Sequence, residues 1–227
     1  MTETSERPTI AILGGTGAEG SGLALRWAHA GYPVIIGSRN ADKAAQVCAQ
    51  MNATLKRSAV THESYLAAAT AAQIIVLCVP YAVQRATVEE VRAALNGKIL
   101  VDTTVPLLPP KVMRVQLPEG GSAVAAIQAL LGESVRVVSA FQNVAAHLLQ
   151  DLACKVECDV LVCGNDVPAR ETVIKLAGDI GLRGIHAGQI GNSAAAEALT
   201  SILIAINSRY KTHGAGIRIT RLDGAEP

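Results

Sequence analysis

Short runs of β-branched and aliphatic residues alternate with longer stretches of helical periodicity along almost the whole chain. The apolar runs at 9–13, 33–37, 74–79, 98–103, 135–139, 159–163 and 183–187 predict strands, with a weaker one near 58–61. Between them, apolar residues recur at three- and four-residue intervals. These predict helices over 18–30, 41–51, 63–71, 84–95, 122–132, 167–180 and 193–210. The run Ile74-Ile75-Val76-Leu77-Cys78-Val79 is apolar at every position. That suits a strand covered on both faces, as in a parallel sheet. Strand–helix alternation predicts an α/β chain with a doubly wound, mostly parallel sheet. Residues 104–121 carry Pro106, Pro109, Pro110 and Pro118 and read as the main irregular excursion.

The first predicted strand breaks into a glycine-rich turn, Gly15-Thr16-Gly17-Ala18-Glu19-Gly20, directly before the first predicted helix. A second apolar run, Val34 to Gly37, completes a strand–helix–strand unit. In that setting G-x-G-x-x-G points to a dinucleotide. Gly15 permits a tight turn after the strand. Gly17 lets the backbone approach a pyrophosphate. Gly20 lets the helix pack close to the sheet. The helix then offers free N–H groups and its positive dipole end to the anion. The fold is therefore expected to be of Rossmann type, with residues 1–190 as the dinucleotide-binding domain. Residues 191–227 are expected to form a small C-terminal helical segment that supplies an acceptor cleft and an oligomer contact.

The end of the second strand bears on the choice of dinucleotide. An NAD site usually places Asp or Glu there, whereas an NADP site tends to place Arg nearby. This chain has Gly37-Ser38-Arg39-Asn40, with Lys43 one helical turn on and Asp42 beyond the strand end. Ser38 can donate to a phosphate oxygen, Arg39 can grip it bidentately and Lys43 adds a point charge. NADP is the expected cofactor. The loops after later strands, Val79-Pro80-Tyr81, Thr103-Thr104-Val105-Pro106 and Phe141-Gln142-Asn143, should line its ribose and nicotinamide end, because ligands sit at the carboxyl edge of such sheets.

Half of the 227 residues are hydrophobic, and the net charge is +1. There is no basic excess for nucleic acid, and few aromatics for stacking bases. The polar start, Met1 to Pro8, does not read as a secretory leader, and Ile74–Val83 is too short to span a bilayer. Five cysteines, Cys48, Cys78, Cys154, Cys158 and Cys163, read as reduced residues of a cytoplasmic protein. Cys154 and Cys158 lack the C-x-x-C spacing or nearby histidines of a metal site. His147 and His186 fall near the presumed ligand loops and read as structural. Ser193 has no neighbouring base and reads as a helix cap or donor. Glu197 could brace the same helix start or reach the acceptor. The run Ala194–Ile206 is apolar nearly all round, which predicts burial against a second subunit, as a homodimer.

Together, Leu13-Gly14-Gly15-Thr16-Gly17, Gly37-Ser38-Arg39 with Lys43, Val79-Pro80, Ser139-Ala140-Phe141, Val162-Cys163-Gly164-Asn165-Asp166, and Gly191-Asn192-Ser193 with Glu197-Ala198-Leu199-Thr200 resemble the NADPH:F420 oxidoreductases. The resemblance runs nearly end to end. It implies NADP contacts at Thr16, Gly17, Ala18 and Glu19, at Ser38, Arg39 and Lys43, at Val79 and Val105, and at Ala146. It also implies a deazaflavin, F420 or a similar flavin-like co-substrate, stacked on the nicotinamide. The acceptor ring is expected beside Val79, Pro80 and Tyr81, Gln142 and Asn143, and Asn192 and Ser193. The chain departs from the family pattern on that side. Tyr81 stands for Trp, Gln142 for His and Ala194 for Arg. Hydride transfer between two rings needs no protein nucleophile, so no catalytic residue is assigned. A non-catalytic NADPH sensor and a reductase of small carbonyl or imine substrates remain alternatives. Only turnover separates the sensor, and the short tail leaves little room for the large helical domain of the reductase.

Overall fold

The structure, a computed structural model, describes residues 7–222. The polar stretch 1–6 and the last five positions of the C-terminal segment lie outside the described residues. In chain order the elements are β1 (Ile10–Leu13), α1 (Ala18–His29), β2 (Val34–Gly37), α2 (Ala41–Leu55), β3 (Val60–Glu63), α3 (Tyr65–Ala71), β4 (Ile74–Leu77), α4 (Tyr81–Val91) and β5 (Ile99–Asp102). Then follow α5 (Ala123–Leu131), β6 (Arg136–Ser139), α6 (Ala146–Leu149), β7 (Asp159–Gly164), α7 (Val167–Gly178), β8 (Arg183–His186) and α8 (Ser193–Tyr210). The strands form one sheet in the order β3-β2-β1-β4-β5-β6-β7-β8.

The apolar runs explain the layers. Ile10 and Ile12 pack on one face with α1, α2 and α7, whereas Ala11 and Leu13 pack on the other with α3, α4 and α5. Because the chain leaves β1 on one side and β4 on the other, the strand order reverses between them. That is the switch point at which doubly wound sheets bind ligands. Both β1 and β4 are buried along their full length.

Every strand pair is parallel except β6–β7. The residues between these two strands hold only the four-residue α6, so the chain makes no full crossover. The β7 strand therefore starts at the edge where β6 ends. The short α6 was not expected from periodicity. Of the other boundaries that differ from expectation, two have a plain cause. The α4 helix begins at Tyr81 rather than at 84, because Pro80 pre-sets its entry instead of prolonging the loop. The β3 strand runs on to Glu63, since as an edge strand it carries the polar residues Thr61, His62 and Glu63 that hide it in the sequence.

Arg26 secures this edge of the fold. It is 7% exposed, yet its guanidinium donates to the carbonyls of Leu148 and Leu149 at 2.9 Å, Asp151 at 2.7 Å, Cys154 at 2.8 Å and Ile180 at 3.3 Å. One cation thus satisfies the ends of α6 and α7. Next to it, Trp27 is fully buried, edge-on to Phe141 at 5.7 Å, and donates to the Leu176 carbonyl. Replacing Arg26 by Met would strand these carbonyls and should lower stability by about 2–4 kcal/mol. Urea unfolding followed by Trp27 fluorescence checks this, and an unchanged midpoint contradicts it.

Candidate functional site

The chain turns out of β1 at Gly14, whose φ is +85°. A Cβ there would lie 2.3 Å from the Cys78 carbonyl oxygen. The tight turn assigned to Gly15 therefore falls one residue earlier. Gly15 is barred from a side chain by packing instead, 3.0 Å from the Ile12 carbonyl and from Ile36. Gly20 would bring a Cβ 2.8 Å from the Gly14 carbonyl, so its lack of one sets how closely α1 meets the turn. A Cβ on Gly17 would meet nothing nearer than 3.4 Å. Thr16 is half-buried, and Gly17 and Ala18 are exposed.

Helices α2, α3, α5 and α7 are capped by the side chains of Asn40, Ser64, Ser122 and Asp166. The helices that flank the switch point are not. Gly17 precedes α1 and Pro80 precedes α4, with no side-chain cap on either. Their first N–H groups remain available to an anion.

At the end of β2, Ser38 is half-buried and its hydroxyl donates to the Asn40 carbonyl at 3.1 Å. Arg39 and Lys43 are exposed, and the Arg39 guanidinium lies 5.9 Å from the Tyr65 ring centre. Two cations thus project at the positive start of α2. At the end of β4, Val79 is buried, Pro80 is exposed and Tyr81 is half-buried. Val105 and Ala146 are half-buried at the start of the loop after β5 and of α6.

Beneath this edge lie buried polar groups that sequence reading missed. Asp102 is fully buried at the end of β5. It accepts from Gln84 Nε2 at 2.6 Å and from the Thr104 N–H at 2.9 Å. Burial pushes its carboxyl up to about 6, against the lowering effect of those donors. Glu19, in the first turn of α1, is half-buried beside the ends of β4 and β5. Burial pushes it up to about 8, a Thr103 hydrogen bond lowers it, and the Asp102 charge raises it. Burial and the same carboxylates hold the Cys78 thiol well above its ordinary range. No local signal announces these contacts, because the partners are far apart in sequence.

The acceptor-side residues separate into two groups. Tyr81 and Asn192 have surface access, and the Asn192 side chain donates to the Ala187 carbonyl at 2.8 Å. Gln142, Asn143 and Ser193 are buried. Phe141 adopts a φ of +74°, a strained conformation for a bulky residue, and redirects the chain just before them. Gln142 Nε2 donates to the Asp102 carbonyl at 2.8 Å and Ser139 Oγ at 2.9 Å, and its Oε1 has no protein partner. Asn143 turns the other way, donating to the Asp159 carbonyl at 2.7 Å. Ser193 donates to the Ile190 carbonyl and lies 2.6 Å from the Ser122 hydroxyl. The two expected acceptor contacts thus differ in how far protein partners engage them. The Ser193 hydroxyl is occupied by its internal partners, whereas Asn143 Oδ1, like Gln142 Oε1, has no protein partner.

Glu197 joins two helix starts. It is 1% exposed and braces the start of α5 as well as the Ser193 start of its own helix. Its carboxylate accepts from Ser122 Oγ at 2.6 Å and from the Ala123 and Val124 N–H groups at 2.8 and 3.2 Å. Burial raises its pKa, and these donors oppose the rise. With Thr200 Oγ1 donating to the Gln142 carbonyl at 2.7 Å, the contact fixes α8 against the strand ends. Among the described residues no group of three or more His, Cys, Asp or Glu side chains could hold a metal.

Residues 9–106 match a family model described as NADP oxidoreductase, coenzyme F420-dependent. The F420-dependent NADP reductase of Methanocaldococcus jannaschii is 42% identical over 94% of this chain and 99% of that protein. Its namesake from Methanothermobacter thermautotrophicus is 38% identical over 96% of this chain and 97% of that protein. Among solved structures, a putative F420-dependent NADP-reductase from Arthrobacter sp. FB24 superimposes with a TM-score of 0.78 at 26% identity, covering 93% of this chain and 99% of that one.

The two glycines should fail differently. Gly17→Val finds open space, so the protein should fold while NADPH binding drops at least tenfold. Gly20→Val drives side-chain carbons into the Gly14–Gly15 backbone and should unfold the domain or lower its melting temperature sharply. Circular dichroism melts paired with NADPH fluorescence titration read both. A folded Gly17→Val protein that binds NADPH normally would remove the turn from the site.

Proposed function

Because this chain belongs to the family of F420-dependent NADP reductases, we propose that it is an oxidoreductase that transfers a hydride between NADPH and the deazaflavin F420. The supporting observation is the switch-point edge. Two uncapped helix starts flank the open position at Gly17, with Ser38, Arg39 and Lys43 at the neighbouring strand end. Thr16 and Ala18 would hold the pyrophosphate through backbone N–H groups, with Gly15 and Gly17, whose own N–H groups donate to the Ile12 and Gly14 carbonyls, shaping the turn against it. Ser38, Arg39 and Lys43 would hold the 2′-phosphate. Val79, Pro80, Val105 and Ala146 would border the nicotinamide half.

The net reaction consumes one proton for each NADPH oxidised and hydride received by the acceptor ring. The two rings carry the chemistry, and the protein holds the reacting carbons about 3–3.5 Å apart with their faces aligned. Tyr81 supplies an aromatic wall on the acceptor side. The Gln142 Oε1 atom, without a protein partner, is a suitable acceptor for a ring N–H. The chain divides in function into a dinucleotide-binding body and a C-terminal helical segment whose α8 closes the acceptor side.

The outer face of α8 carries Ile202, Ile206 and Tyr210 at four-residue spacing, 47%, 37% and 74% exposed. We assign this stripe to a two-fold contact with a second copy. No described helix is long and apolar enough to cross a membrane, and all five cysteines are free thiols. Both are compatible with the cytoplasmic location we assign.

Steady-state turnover with NADPH and F420 in both directions tests the function. Its absence with NADPH binding intact would reject F420 as acceptor. Arg39→Asp should weaken NADPH binding by about 2–4 kcal/mol while leaving NADH nearly unaffected. Equal wild-type affinity for the two cofactors would contradict the assignment of Arg39. Light scattering should give a dimer at micromolar concentration, and Ile202→Glu should shift it to monomer. A monomeric wild type would refute the contact.

A further inference from the structure

The β7 strand overhangs its neighbour. Ser139, the last residue of β6, pairs with Cys163, so the earlier residues of β7 run on past the edge at which β6 ends. The ligand loops lie at that edge. The pairing with β6 does not reach Asp159, the first residue of β7. Its backbone carbonyl accepts instead from Asn143 Nδ2 at 2.7 Å, and its N–H donates to the Ile217 carbonyl at 2.8 Å. Ile217 belongs to the segment that leaves the end of α8 and returns to the sheet.

The Asp159 side chain holds the same segment. Asp159 is 2% exposed. Its carboxylate accepts from Arg183 Nε at 2.8 Å and Nη2 at 2.6 Å, and from the Ile219 N–H at 2.6 Å. Arg183 Nη2 donates in turn to the Ile219 carbonyl at 2.7 Å. An ion pair between neighbouring strands thus takes both backbone groups of Ile219, as a strand edge would. The Arg183 guanidinium, working against burial, holds the Asp159 carboxyl below its ordinary range. At its other end the segment is tied to Asn207 of α8, whose carbonyl accepts from the Thr212 N–H at 3.1 Å and whose Oδ1 accepts from the Ala215 N–H at 2.9 Å. Between these ties it lies tight on the ligand side. A Cβ on Gly214 would fall 2.8 Å from Leu148 and 3.4 Å from His147, both in α6. One on Gly216 would fall 2.8 Å from Cys158 Sγ, which itself accepts from Asn143 Nδ2 at 3.1 Å. Residues 212–219 therefore form a strap pressed on α6, Cys158 and the Asn143 turn.

We propose that Asp159 is a positioning residue for the acceptor side, holding α6 and the Gln142–Asn143 turn, through the strap, against the edge that receives the deazaflavin. The inference rests on the proposed reading of F420 as acceptor. No bond to substrate is made or broken by Asp159. A purely structural strap would change the melting temperature and leave the acceptor kinetics unmoved, whereas a positioning strap splits the two cofactors. The dinucleotide turn and Ser38, Arg39 and Lys43 lie at the other half of the sheet, on β1 and β2.

Two variants loosen the strap from different sides. Asp159→Asn removes the charge opposite Arg183 and weakens the hold on Ile219. Gly216→Val drives side-chain carbons onto Cys158 Sγ with the ion pair left intact, and serves if Asp159→Asn does not fold. Each folded variant should raise KM for F420 about tenfold, with kcat and NADPH affinity changed by less than about twofold. Trypsin cleavage after the exposed Arg218, followed by mass spectrometry, reads the strap itself and should be faster in both. In wild type loaded with NADP+, adding oxidised F420 should slow that cleavage about fivefold, because ligand and strap closure are linked reciprocally. This protection needs no variant. A strap cleaved faster with KM for F420 unchanged would overturn the inference and leave the proposed function standing. So would a loss of NADPH affinity equal to the loss for F420, or the absence of protection by F420. A wild type that binds NADPH but neither turns over nor binds F420 would sink the proposed function, and this inference with it.

Discussion

The first turn of α1 rests directly on the end of β1, and the ligand edge follows from that contact. The Gly17 N–H donates to the Gly14 carbonyl at 3.0 Å, and a Cβ on Gly20 would intrude to 2.8 Å from the same oxygen. Only side-chain-free positions allow a helix to start this close to a buried strand. The approach brings the N–H groups of α1 to the switch point, beside the start of α4. It also leaves Glu19 over the ends of β4 and β5. Any bulk at Gly14, Gly15 or Gly20 would push the helix away and dissolve that geometry.

The other side of the edge is organised by buried polar contacts rather than by glycine. Asp102 receives Gln84 and Thr104 through its carboxylate and Gln142 through its carbonyl. Gln142 is held from above by Thr200, and α8 is held at its start by Glu197 on α5. In a low-dielectric interior such networks fix position strongly, because each unmet partner costs about 1–3 kcal/mol, and Gln142 Oε1 and Thr104 Oγ1 are left without a protein partner. They join β5, β6, α5 and α8 where an acceptor ring would be received.

What could be read from the sequence follows the range of the physics involved. Central strands such as Ile74–Leu77 were plain, because burial on both faces leaves no polar position. Helix α8 was read to the residue, from Ser193 to Tyr210, because its periodicity is long. The β3 strand was faint, because an edge strand alternates with polar residues. The four-residue α6 is too short to show a period. Pro80 read as loop, although a proline can equally precede a helix. The glycine turn before α1 was legible because its geometry is local. The contacts of Glu19, Asp102 and Glu197 were not, since Glu197 meets Ala123 across 74 residues of chain. The internal bonds of Asn143 and Ser193 were hidden for the same reason. A polar residue after a strand looks like a ligand group until its buried partner is known.

The central claim is direct hydride passage between two rings held by this edge, with the protein contributing position and no covalent step. Label transfer tests it most directly. NADPH deuterated at the transferred position of C4 should pass its deuterium to the reduced F420 ring in ordinary water. Unlabelled NADPH in deuterium oxide should deliver none to that carbon. Mass spectrometry or proton NMR of the reduced product reads both experiments. Deuterium found in the product carbon from solvent, or lost from labelled NADPH to water, would contradict direct transfer and require an intermediate carrier on the protein.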